Sequence, residues 1–258
     1  MEHLFDVTGK TVLVTGGSRG IGLMIARGFV EAGATVIISS RNAEACKLAA
    51  EELSGLGACT AHPADLATDE GIASLAERVA EIAPRLDVLV NNAGATWGSP
   101  IDDFPGSGFD KVMSVNVKAV FMLTQKLLPQ LRDAASADDP ARVINIGSTD
   151  GLVLSRSDNF SYGASKAAVH LMTRKVAATL ADEHITVNAI APGPFPSKMM
   201  AHVIGDQDKL DQLVGRVPLG RVGTPEDIAG TAIFLSSRAG AFLTGTVIPV
   251  DGGVSQAR

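Results

Sequence analysis

The chain has 258 residues, 46% hydrophobic and 19% charged, with a formal net charge of -6 at pH 7. Its Lys and Arg residues are spread along the chain, which argues against a nucleic-acid or anionic-membrane footprint and favours a small-molecule partner. The opening MEHLFDVTGKTVLVTGG has no basic region leading into an apolar run, and no stretch approaches bilayer-spanning length, so a cytoplasmic protein is expected. Cys46 and Cys59 read as reduced packing residues. His3, His62, His170, His184 and His202 read as solvated or hydrogen-bonded side chains with no metal-ligand spacing, and no metal is expected.

The first predicted strand, Thr11 to Thr15, runs into TGGSRGIG, whose Gly16, Gly20 and Gly22 precede an amphipathic segment from Leu23 to Ala32. Glycines at a strand-to-helix turn let backbone approach a phosphate closely, and the helix start offers free N–H groups and a partial positive charge. A dinucleotide pyrophosphate is expected there. The second strand, Thr35 to Ser39, is followed by Ser40 and Arg41, where an NAD-specific site would place an acid on the ribose hydroxyls. Without that acid, and with Arg19 in the glycine turn, the pattern suits a 2'-phosphate, because guanidinium forks match phosphate oxygens in charge and geometry. NADPH is therefore expected over NADH.

Further strands are predicted at Cys59 to His62, Val88 to Asn91, Arg142 to Ile146, Thr186 to Ile190 and Thr246 to Val250, with Asp133 to Ala141 as an exposed acidic loop. Strands apolar on both faces and separated by helix-length segments imply a parallel sheet covered on both sides. The whole chain, 1–258, thus reads as a single doubly wound α/β domain of the Rossmann type with about seven strands. Thr224-Pro225-Glu226-Asp227 predicts a helix start, with a hydroxyl cap, proline in the first turn and acids on the dipole.

The fifth strand ends at Ser148, on the carboxyl edge where doubly wound folds bind ligands. Tyr162 is the single tyrosine, and Lys166 follows four residues later, on the same helix face. A nearby ammonium favours phenolate and would bring the phenol into a range suited to proton transfer. The spacing alone fits an ordinary surface pair better; Ser148 upstream gives it chemical sense.

With these residues in order, the chain resembles the short-chain dehydrogenase/reductase family over nearly its full length. TGGSRGIG resembles the family's cofactor loop, Asp65 in PADL its adenine-side acid, Asn91-Asn92-Ala93-Gly94 its fourth-strand motif, and TGTVIPVDGG its last strand. The resemblance implies NADP(H) contacts from Gly16, Ser18, Arg19, Gly20, Ile21, Gly22, Ser40, Arg41, Asp65, Leu66, Asn92, Ala93, Gly94, Pro192, Gly193 and Ser197, with Tyr162 and Lys166. Ser197 stands where many members carry threonine, retaining a hydroxyl. It also implies a catalytic tetrad of Asn116, Ser148, Tyr162 and Lys166: Ser148 orients a ketone, Tyr162 donates the proton, Lys166 binds ribose and biases Tyr162, and Asn116 holds a water linked to Lys166.

Residues 194–220 are expected to form a substrate lid in which Met199, Met200, Val203, Ile204, Leu210 and Leu213 cover the site or simply pack a short helix; Trp97 and Phe160 are candidates for its border. Similarity to bacterial 3-oxoacyl reductases implies a 3-oxoacyl thioester substrate carried by acyl carrier protein or coenzyme A. Another hydrophobic ketone, or a non-catalytic NADP(H) sensor, are the alternatives. The family resemblance also implies a homotetramer built on the long helices Asp110 to Leu131 and Tyr162 to Ala181.

Overall fold

The computed structural model describes residues 3–155, 157–197, 200 and 205–256. Seven strands, β1 (Thr11–Thr15), β2 (Thr35–Ser39), β3 (Cys59–Ala61), β4 (Val88–Asn91), β5 (Ala141–Ile146), β6 (Ile185–Pro192) and β7 (Val247–Val250), form one sheet in the order 3-2-1-4-5-6-7. Every pairing is parallel, with Val12 level with Val36 and Val88, and Ile144 with Val90 and Asn188. The expected doubly wound domain is present. Edge strands β3 and β7 are one residue shorter than expected, whereas β6 runs on through Pro192.

Side chains alternate across the pleat. Val12, Val14, Val36 and Ile38 face a core formed with α1 (Gly20–Glu31), α2 (Ala43–Ser54) and Pro225–Ser236; Leu13, Ile37, Leu89 and Val143 face the other. That second core is closed by α3 (Asp69–Ile82), by the helices between β4 and β5, and by α7 (Phe160–Leu180). The helix predicted after Thr224 begins at Pro225, and the Asp227 carboxylate accepts the Thr224 N–H at 2.7 Å and two bonds from Arg221.

One segment differs from expectation. The stretch from Asp110 to Leu131 is not one helix: α4 (Gly106–Met113) passes through a π turn at Ser114–Lys118 into α5 (Ala119–Lys126), and Leu127 breaks the chain before α6 (Leu128–Ala134). Pro129 fits at that restart because the first turn needs no N–H from it. The predicted acidic loop 133–141 is exposed at Asp133 and at 136–139, as expected, with its ends taken up by α6 and β5. Asp139 pairs with Lys10 and with Arg142, whose guanidinium is buried at 1% exposure and also donates to the Pro140 and Ser237 carbonyls. A buried cation is retained where a carboxylate and carbonyls replace its water.

Among the described residues, no helix is long and apolar enough to cross a membrane, and no cluster of three or more His, Cys, Asp or Glu could hold a metal ion. Strand order reverses between β1 and β4, which opens the crevice at their carboxyl ends.

Candidate active site

The glycine turn after β1 meets the segment after β4 in this crevice. Gly16 and Gly20 have φ of 66° and 54°, a left-handed backbone that glycine adopts without strain. Gly22 admits no side chain, because a Cβ would lie 2.3 Å from the Gly16 carbonyl oxygen and from Asn92 Nδ2. The Asn92 amide donates to the Thr15 and Gly16 carbonyls at 2.8 and 3.2 Å. Thr15 Oγ1 in turn accepts the N–H groups of Asn92 and Ala93, both at 3.0 Å, and donates to the Val90 carbonyl. Asn92 therefore braces the loop from within the protein. Thr15, absent from the sequence-based candidates, is the hinge pin, and its position inside TGG was the available signal.

Helix α1 starts at Gly20 with Arg19 as its cap residue, and the Arg19 side chain makes no capping bond. Arg19 and Arg41 are both exposed, while Arg27 nearby is occupied by Glu31 and Glu52. The tip of β2 carries no acid: Ser40 Oγ donates to the Asn42 carbonyl, and Asn42 caps α2. The Ala64 N–H donates to the Ser40 carbonyl at 3.2 Å, which brings Asp65 and buried Leu66 beside this tip. Asp65 closes its own turn by accepting the Ala67 N–H. Ser197 lies against Gly20, within 3.4 Å of where its Cβ would stand, and Gly193 continues the β6–β7 ladder through the Val250 carbonyl at 3.0 Å. Positive-φ glycines, a helix start, two exposed guanidiniums and no acid on β2 together fit a dinucleotide with a 2'-phosphate.

On the far side of the crevice, Ser148 is 8% exposed, its Oγ accepts the Asp150 N–H at 3.1 Å, and its hydroxyl reaches the Tyr162 phenol. Lys166, 4% exposed, donates from Nζ to the Ile146 carbonyl at 2.7 Å and sits 5.5 Å from the centroid of the Tyr162 ring. A Cβ on Gly94 would lie 3.5 Å from Asn116 Oδ1 and 3.9 Å from Lys166 Nζ, so this glycine keeps the space between the two open. Asn116 itself sits in the π turn, a feature frequent at functional sites. Its amide donates to the Ala95 carbonyl and to Ser165 Oγ, both at 2.9 Å, and Oδ1 accepts the Ala95 N–H at 2.8 Å. Both N–H hydrogens are spent, which leaves one Oδ1 lone pair facing that space. Ser165, which sequence reasoning missed, links this network to the Tyr162 carbonyl at 2.7 Å.

The electrostatics differ from the expected tuning. Burial pushes the Tyr162 phenol above its ordinary range; the Ser148 hydroxyl offsets part of that rise and the Asp150 charge adds to it. Burial alone lowers Lys166 to about 8. Burial, the largest of these causes, favours Tyr162 as a protonated donor.

Of the two border candidates, Phe160 stands two residues before Tyr162 and meets Phe104 edge-on at 5.9 Å, while Trp97 covers Gly108 with Lys111 Nζ 5.6 Å from its ring. Helix α8 (Gln207–Val214) has Leu210 and Leu213 half-buried and no fully buried residue. Met199, Val203 and Ile204, also assigned to the lid, lie outside the described residues, as does His202.

A family model described as Enoyl-(Acyl carrier protein) reductase matches residues 16–255. The chain is 51% identical over 253 residues to the rhamnolipids biosynthesis 3-oxoacyl-(acyl-carrier-protein) reductase of Pseudomonas aeruginosa, covering 98% of this chain and 99% of that one. It is 36% identical to the gluconate 5-dehydrogenase of Gluconobacter oxydans, over 99% of both. The solved Pseudomonas aeruginosa RhlG/NADP active-site complex superposes with a TM-score of 0.96 at 50% identity, covering 99% of this chain and 100% of that one. With likeness of this extent in sequence and in fold, the chain belongs to the short-chain dehydrogenase/reductase family.

Proposed function

We propose that this protein is an NADPH-dependent reductase that converts a 3-oxoacyl thioester into its 3-hydroxy product. The observation that carries this reading is the convergence of Ser148, Tyr162 and Lys166 at the carboxyl edge of the sheet, beside a glycine turn flanked by Arg19 and Arg41. The turn of Gly16, Ser18, Gly20, Ile21 and Gly22 receives the pyrophosphate, Arg19, Ser40 and Arg41 the 2'-phosphate, and Asp65 and Leu66 the adenine side. Ala93, Gly94, Pro192, Gly193 and Ser197 border the nicotinamide half, and Asn92 acts by bracing the turn. The bound dinucleotide supplies the hydride.

Ser148 donates a hydrogen bond to the substrate carbonyl oxygen, and Tyr162 delivers a proton to the same oxygen as it becomes an alkoxide. Lys166 holds the ribose and, through the space above Gly94, shares a relay water with Asn116 Oδ1. The thioester is favoured by the 51% identical relative, whose name specifies an acyl-carrier-protein substrate. We place it in the cytosol and read it as a homotetramer, with Phe121 and Leu171 exposed on the helices expected to pair.

NADPH oxidation should be followed with 3-oxoacyl thioesters of several chain lengths on both coenzyme A and acyl carrier protein, with a hydrophobic ketone and with a keto-sugar acid. Preferential turnover of a thioester is expected. Faster turnover of the keto-sugar acid would move the enzyme to its gluconate relatives, and tight NADPH binding without turnover would make it a sensor.

The Lys166 pKa of about 8 sets the pH dependence. kcat/KM, which reports the free enzyme, should fall as pH rises through about 8, where the ammonium is lost while Tyr162 stays protonated. Stability should move the other way. The folded pKa lies below the ordinary 10.5, so between these values the unfolded chain binds more protons, and the contribution of Lys166 to stability rises with pH. Urea midpoints at pH 7.5 and 9.5, compared between the native protein and Lys166→Met, isolate this contribution.

A further inference from the structure

His170 is a buried titratable side chain that the reaction outlined above leaves unused. It follows Lys166 by one turn of α7, is only 4% exposed, and its ring is held against the Gly151 backbone. A buried imidazole is costlier to place than an apolar side chain of similar size, so its retention asks for a reason in shape.

The ring edge fills the space between the two glycines that bracket Ser148. A Cβ on Gly147 would come within 2.1 Å of His170 Nε2, and one on Gly151 within 2.8 Å of Cε1. Gly147 is not among the positive-φ glycines, so alanine is barred there by crowding rather than by backbone strain. Between the two glycines the chain closes a tight turn: Gly151 N–H donates to the Ser148 carbonyl at 3.1 Å, and Asp150 N–H to Ser148 Oγ at 3.1 Å. The turn therefore rests on a side chain of α7, the helix that also carries Tyr162 and Lys166. Burial holds the imidazole below its ordinary pKa; a hydrogen bond with the Gly151 backbone offsets part of that fall, and the charges of Lys166 and Arg174 add to it, so the wedge is uncharged at neutral pH.

We propose that His170 is a positioning residue: wedged between Gly147 and Gly151, it sets the place of the Ser148 hydroxyl relative to Tyr162 and Lys166. This rests on the reading of Ser148 as the group that orients the carbonyl. The flat, five-membered ring suits the slot, since it reaches both glycines from one helix position without the bulk of a phenyl.

Hydrogen exchange followed by mass spectrometry, together with steady-state kinetics, tests this with His170→Ala, Gly147→Ala and the double variant. In His170→Ala, exchange should quicken in peptides covering 147–152 but not in the glycine turn 15–22. kcat should fall by ~10- to 100-fold, the scale of a small misplacement of a reacting group, with NADPH affinity held within about twofold. Gly147→Ala should also lower kcat. In the double variant the new methyl group enters the vacated space, so kcat should recover above that of Gly147→Ala alone, a coupling that a general loss of stability would not produce. Unchanged exchange over 147–152, or parallel losses of exchange protection, cofactor affinity and kcat throughout the protein, would overturn the proposal. If His170→Ala does not fold, Gly147→Ala decides: local loosening of 147–152 is expected, and wild-type kcat overturns the assignment. A native protein that turns over no carbonyl sinks the reading of Ser148 instead, and the exchange data still decide whether His170 holds the turn.

Discussion

Tyr162→Phe should reduce carbonyl turnover by ~100- to 10,000-fold, the range that a positioned general acid contributes, while the NADPH Kd shifts by no more than about twofold. The phenyl ring keeps the volume above Lys166, and Lys166 remains tied to the Ile146 carbonyl, which involves no atom of the tyrosine hydroxyl. Only the proton donor is removed. Fluorescence titration with NADPH and steady-state oxidation of the cofactor separate binding from chemistry. Residual turnover within about tenfold of the native rate would show that another group, or water, supplies the proton.

Ser40→Asp combined with Arg41→Ala should invert the cofactor preference. Hydrogen bonds to charged groups contribute about 1.5–3 kcal/mol each, or ~10- to 100-fold in affinity, and the new carboxylate would also repel a 2'-phosphate while accepting bonds from ribose hydroxyls. NADPH affinity should therefore drop by ~100-fold and that for NADH should rise, with the ratio of kcat/KM values following. Arg19 limits the loss, because it sits on the cap of α1 and is untouched by these substitutions. A preference unchanged in the double variant would remove the β2 tip from cofactor selection. Asn42 still caps α2 in this variant, so the local fold should persist.

The strands were legible because most of them are covered on both faces: β4, β5 and β6 are buried at every position, and such strands read as unbroken apolar or β-branched runs. Bounds slipped by one residue at the edges β3 and β7, where burial is partial and the pattern fades, and also at buried β5 and β6, whose continuous apolar runs mark no sharp end. The break between α4 and α6 was not legible. Helical periodicity continues across Ser114–Lys118, and the π turn follows from the Asn116 amide being drawn to Ala95 and Ser165, which lie far off in sequence. The acidic stretch before β5 faces solvent as it read, but nothing local reveals that Arg142 is buried behind it.

What the sequence determined by itself was the set of chemical groups and their local spacing. A left-handed turn calls for glycine, and a lysine four residues after a tyrosine shares its helix face, so these features depend on neighbours along the chain alone. Tertiary structure decided how the groups are spent. Asn92, counted among the cofactor contacts, braces the glycine turn from β4, and Lys166 is anchored to Ile146 on β5. The imidazole of His170, one helix turn away, is pressed beneath the turn that carries Ser148. At Tyr162 burial acts against the lowering expected from the lysine beside it, because desolvation depends on everything packed around the phenol.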